Sequence, residues 1–151
     1  MAVDLFAGIA VSDFAAALTW YEKLLGTPPA FFPNDVEAVW EIAEHRYVYI
    51  EHLPEKAGHA ILTLFLDDFD ERIAAIAARG LTPAKQETYD NGVRKTTYLD
   101  PDGTEIGLGG GPASGKCHSM AAGVSLAAAP VAAGTISISD HGQRSHSSVR
   151  I

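Results

Sequence analysis

The sequence predicts an α+β fold built from two tandem β-α-β-β-β repeats, spanning about residues 3–53 and 59–108. Three observations carry this expectation. First, a strand-like alternation of apolar residues followed by a helix-like recurrence occurs twice. Second, adding 55 to Asp13, Phe14, Leu18 and Tyr21 lands on Asp68, Phe69, Ile73 and Ile76, so the two helices repeat in phase. Third, each helix meets a glycine and then proline, Gly26 before Pro28-Pro29 and Gly80 before Pro83, which is how helices end.

In the first repeat Val3 to Val11 alternates as a strand, with Leu5, Ala7, Ile9 and Val11 as the face expected to meet the helix. Ser12 offers an N-cap oxygen, Asp13 suits the positive helix start, and Phe14, Leu18, Tyr21 and Leu25 recur at helical spacing. Ala30 to Phe32 is a short edge strand before the turn Pro33-Asn34-Asp35. Val36 to Ala43 and Arg46 to Leu53 complete the repeat as strands.

Pro54 to Gly58 is a loop, and the second repeat opens with Ala60, Leu62, Leu64 and Leu66 as an aliphatic strand face. Asp67 or Asp68 caps the next helix, along which Phe69, Ile73 and Ile76 recur. Phe14 and Phe69 are expected to be equivalent core aromatics. Thr82 to Thr88, Val93 to Leu99 and Thr104 to Leu108 supply three strands, the last two joined through Asp100-Pro101-Asp102-Gly103 as a hairpin turn. In its second arm Ile106 and Leu108 share one face, and Glu105 and Gly107 share a face left open as half of a concave site.

Hydrophobic content of 47% over 151 residues suits one globular domain or two small units sharing a core. A net charge of −8 disfavours a nucleic-acid partner, because phosphate binding needs a basic patch. No apolar run reaches the length of a membrane span, the N-terminus has no signal-peptide pattern, and the lone Cys117 forms no intrachain disulfide, so a cytoplasmic location is expected. After residue 110 the composition turns to Ala, Ser and Gly, and residues 111–151 are expected to be a disordered tail, with a short strand conceivable at Thr135 to Ser139. Its His118, His141 and His146 are spaced too irregularly for a metal-binding run.

The fourth strand is the most informative for function. Val48 and Ile50 are aliphatic, whereas Tyr47, Tyr49 and Glu51 share the other side and suit a ligand cleft with flat apolar bodies and polar tips. Trp40 suits either cleft or core. Arg94 shares strand parity with Thr96 and Tyr98, as an inward anion anchor or a surface salt bridge. There is no G-x-S-x-G elbow, Cys117 lies in the tail, and Gly107 to Gly111 opens no helix, so neither a nucleophile nor a phosphate loop is indicated.

The opening VSDFAAALTWYEKLLG, the ending YLDPDGTEIGL and the paired repeats resemble the vicinal oxygen chelate superfamily of glyoxalases, bleomycin-resistance proteins and dioxygenases, over residues 3 to about 110. The resemblance implies curved half-barrels, often completed across a homodimer. In the metalloenzymes of that family a divalent metal is held from the first and last strands of each repeat. Those positions fall here at Phe6, Glu51, Ile61 and Gly107, of which Glu51 alone can ligate. His59, two residues before Ile61, is the remaining donor for a relocated site with Glu51. The expectation is therefore a homodimeric, metal-independent module without a cofactor, binding a small cationic or aromatic molecule through Phe6, Tyr47, Tyr49, Glu51, Ile61, Phe65, Arg94 and Tyr98. The alternatives are a divalent-metal-dependent lyase, isomerase or dioxygenase using Glu51 and His59, and a structural subunit with an empty groove.

Overall fold

The computed structural model describes residues 1–113. Cys117, the three histidines after it and the strand expected at Thr135 to Ser139 lie outside the described residues. The elements are β1 (Leu5–Val11), α1 (Phe14–Leu25), β2 (Phe31–Asn34), β3 (Glu37–Ala43), β4 (Arg46–His52), a 3-10 turn (Pro54–Lys56), β5 (Ile61–Leu66), α2 (Phe69–Ala78), β6 (Lys85–Thr88), β7 (Arg94–Leu99) and β8 (Glu105–Gly110). They form two mixed sheets of identical topology, ordered β1-β4-β3-β2 and β5-β8-β7-β6. In each, the first strand runs parallel to the fourth and the others pair antiparallel. Two β-α-β-β-β repeats are thus present.

One face of each sheet carries the core. Ile9, Val11, Val48, Ile50, Ala38 and Trp40 from the first sheet join Ile106, Leu108 and Tyr98 from the second, with Ala17, Tyr21 and Leu24 of α1 and Phe69 and Ile76 of α2, in one apolar cluster. The 55-residue correspondence holds at the helix starts, where Asp13 and Asp68 are the N-caps. Asp13, not Ser12, supplies the first cap, accepting from the Ala16 N–H at 3.0 Å. Asp68 makes no side-chain cap and receives Arg72 at 3.3 Å instead. Leu5, expected on the helix side, is exposed, and burial on that face of β1 is complete only at Ile9 and Val11.

Ser12 is diverted into a contact between repeats. Its N–H donates to Asp102 Oδ2 at 2.9 Å and its hydroxyl to Asp102 Oδ1. Next to it, Tyr21 on α1 donates its hydroxyl to the buried Asp100 at 2.8 Å. The other Asp100 oxygen accepts the N–H groups of Asp102 and Thr104 at 2.9 and 2.8 Å, and Gly103 takes a φ of 89° that a side chain would strain. Asp100 therefore shapes its own hairpin turn and fastens it to the other repeat. At the far end of α1, the Arg79 guanidinium donates to the carbonyls of Lys23 and Leu24, a cation on the negative end of the helix.

Candidate functional site

The face of each sheet turned away from the core is open, and strand alternation decides what it displays. In the first sheet, registration places Phe6 beside Tyr47, Gly8 beside Tyr49 and Ala10 beside Glu51. On the other side of β4, Glu41, Val39 and Glu37 register with Tyr47, Tyr49 and Glu51. The Phe6 and Tyr47 rings are stacked, with centroids 4.4 Å apart and planes inclined by 10°. Desolvation, then the carboxylates of Glu41 and Asp4, raise the Tyr47 phenol above its ordinary range.

Gly8 is the hinge of this surface. A Cβ there would lie 2.5 Å from the Tyr49 ring and hydroxyl, so only glycine lets that ring lie across β1. The result is a cleft of about 260 Å³ lined by Gly8, Ala10, Tyr49, Glu51, Leu53 and Lys56, with Ile9 and Ala60 completing it. Among the described residues, neither Glu51 nor Lys56 is in an ion pair.

The open face of the second sheet has three rows across β5, β8 and β7: Ile61, Glu105 and Leu99; Thr63, Gly107 and Thr97; Phe65, Gly109 and Lys95. Ile61 is 72% exposed. The Phe65 ring rests over Gly109, where a Cβ would lie 3.0 Å away.

Six of the eight residues expected to bind ligand, Phe6, Tyr47, Tyr49, Glu51, Ile61 and Phe65, thus lie on open faces. Arg94 and Tyr98 do not. Tyr98 is 1% exposed in the core, where desolvation raises its phenol above the ordinary range. Its hydroxyl finds no hydrogen-bond partner among the described residues. Arg94 lies over the Phe69 ring at 4.7 Å and forms a two-pronged pair with Asp70 at 2.6 and 3.0 Å, which holds the Asp70 carboxyl below its usual range. Trp40 is core, its Nε1 donating to the Thr27 carbonyl at 2.9 Å. Sequence reasoning missed Gly8, Lys56, Glu37, Glu41 and Lys95. The two glutamates were legible in principle, since they alternate with Ala38 and Trp40 on the strand paired with β4.

The four positions that the family resemblance assigns to a metal, Phe6, Glu51, Ile61 and Gly107, are all on open faces. Phenylalanine, isoleucine and glycine supply no donor from three of them, and the Lys95 ammonium overhangs Gly107, so this set does not fit a divalent cation. His59 is exposed in the segment before β5. No group of three or more metal-ligating side chains occurs among the described residues.

A pair of β-α-β-β-β units with open, ligand-sized faces defines a class of proteins. This chain belongs to the Glyoxalase/Bleomycin resistance protein/Dioxygenase superfamily, whose match spans residues 3–108. A crystal structure of a glyoxalase/bleomycin resistance protein from Catenulispora acidiphila is 55% identical, with a TM-score of 0.72 over 74% of this chain and all of that one. A bleomycin-binding protein solved with bleomycin is 20% identical, with a TM-score of 0.60 over 72% of this chain and 98% of its own. A lactoylglutathione lyase from Agrobacterium tumefaciens is 14% identical, with a TM-score of 0.59 over 74% of this chain and 95% of its own. The last two likenesses establish shared fold alone. No curated protein matches the chain. No helix among the described residues is long and apolar enough to cross a membrane.

Proposed function

We propose that this chain is a metal-independent binding protein that sequesters a small organic molecule, with an aromatic part laid on Tyr49 and a cationic group directed at Glu51. The carrying observation is the register of β3 and β4, which sets Glu37 directly across from Glu51 on the open face. Like charges facing each other across two strands are destabilising. A ligand cation would offset that repulsion, while the ring held flat by Gly8 offers stacking area. The bleomycin-binding protein supports the general mode, because the same fold there holds bleomycin.

The test is calorimetry with metal-free bleomycin, in the presence and absence of a chelator. Glu51→Gln keeps the shape and removes one charge, so affinity should fall by roughly 10- to 100-fold, the scale of a lost charge-assisted hydrogen bond. Its melting temperature should not fall, since the facing repulsion is relieved. Unchanged affinity in Glu51→Gln, or no saturable binding by the wild type, would overturn the proposal. Stoichiometric divalent metal that disappears in Glu51→Gln would replace it with the metal-dependent enzyme.

The same reading includes a homodimer, as the family resemblance implies. Phe6, Ile61 and Leu99 leave apolar surface on the open side of both sheets, which a second copy would cover. Light scattering at micromolar concentration should give twice the chain mass of 16.0 kDa. A monomer mass would remove the dimer and leave the Glu51 cleft to stand by itself.

A further inference from the structure

We propose that the depression over Gly107, on the open face of the second sheet, is a recognition site for a carboxylate group carried on an apolar or aromatic body. Lys95 supplies the cation, and the hydroxyls of Thr63 and Thr97 supply hydrogen bonds. The site stands apart from the Glu51 cleft, which none of these residues lines.

The geometry begins with a missing side chain. A Cβ on Gly107 would meet Lys95 Cε at 2.6 Å, Thr63 Oγ1 at 3.0 Å and Lys95 Nζ at 3.5 Å. The lysine stem therefore lies across the strand in space that any other residue would fill, and its ammonium and the Thr63 hydroxyl both border that space. Thr97 registers with Gly107 from the opposite side, so the glycine is flanked by one hydroxyl residue on each neighbouring strand. Among the described residues neither threonine hydroxyl has a hydrogen-bond partner, and the Lys95 ammonium has no ion pair.

The charged neighbours say what fits. Glu87 is the register partner of Lys95, yet its carboxylate is taken by Lys85 at 2.7 Å. That contact, through its hydrogen bond first and its charge second, raises the Lys85 ammonium pKa above its ordinary value. Lys85 is thus already neutralised by a partner, and Glu105 is the other acid on this face, one row away beside Ile61. One free ammonium and two hydroxyl donors match the single charge and two oxygens of a carboxylate. A phosphate dianion would find as second cation only Lys85, across Thr97 and already paired with Glu87. Beyond the polar row, the Phe65 ring lying over Gly109 offers a flat apolar surface for the body of the ligand.

Sodium benzoate is the probe, titrated into the full chain at constant ionic strength and followed by amide NMR, with inorganic phosphate as the comparison. Benzoate should shift the Thr63, Thr97 and Gly107 amides saturably, and phosphate should not. Lys95→Met, which keeps the stem and removes the charge, should weaken benzoate by roughly tenfold or more. Gly107→Ala keeps the lysine but fills the depression, and should weaken it comparably. Equal benzoate affinity in either variant, shifts confined to other residues, or no saturable shift in the wild type would overturn the site. Phosphate binding as tight as benzoate would overturn its assignment to carboxylates. Should Lys95→Met fail to fold, Thr63→Val at an exposed position takes its place, with several-fold weakening expected and equal affinity overturning the site.

Discussion

Asp100→Ala should destabilise the protein by about 3–5 kcal/mol, measured by chemical denaturation, although the residue is buried in a turn and is part of neither open face. Its carboxylate is 5% exposed and accepts from the Tyr21 hydroxyl and from the backbone of Asp102 and Thr104. Hydrogen bonds to a charged group are worth roughly 1.5–3 kcal/mol each, and removing the acceptor leaves three donors without their partner. The three bonds share one anchor, so their loss is less than additive. Tyr21→Phe removes one of them and should cost about 1–3 kcal/mol. It should also change the alkaline limb of stability. Burial, then the neighbouring Asp100 charge and hydrogen bond, raise the Tyr21 pKa far above its ordinary value. A raised folded pKa means that the stabilisation is complete below the unfolded value of about 10 and is lost as pH rises above it, by about 1.4 kcal/mol per pH unit. In Tyr21→Phe that loss should be shallower by about this amount. Identical alkaline slopes would show that Tyr21 does not hold its proton in the folded state.

Phe69→Ala should cost about 3–5 kcal/mol, whereas Phe14→Ala, at the corresponding point of the first repeat, should cost about half that or less. The difference lies in the strand beneath. Phe69 is 7% exposed and sits directly on Gly110, where a Cβ would come within 2.3 Å of the phenylalanine Cβ. Arg94 then covers its ring. The equivalent strand position in the first repeat, paired with Val11 as Gly110 is with Leu66, is His52, and Phe14 remains half-buried. Equal losses in the two variants would mean that the glycine seat contributes nothing. Repetition in sequence predicted equal roles for the two aromatics, and the seat beneath each one separates them.

The contrast between β4 and β7 explains what was legible in the sequence. Along β4 aliphatic Val48 and Ile50 alternate with Tyr47, Tyr49 and Glu51, so the two faces differ in chemistry and the open one can be named in advance. Along β7 the core side is Arg94, Thr96 and Tyr98, residues whose heads are polar and whose bodies are apolar. Parity was readable there and polarity was not, because the arginine stem covers Phe69 and the tyrosine ring fills core space. Likewise Ser12 and Asp13 are both good caps, and the choice between them is made by Asp102, 90 residues away. The Lys95 and Gly107 arrangement has no local signature, since it depends on a side chain that is absent on one strand and long on the next.

The open-face positions have a consequence for how such a protein can change over generations. Phe6, Tyr49, Glu51, Ile61, Lys95 and Gly107 alternate with the core residues and contribute nothing to the apolar cluster. Mutations there can rewrite the chemistry presented to small molecules while the opposite faces keep the scaffold above its stability threshold. A scaffold divided in this way can diverge in ligand faster than in shape.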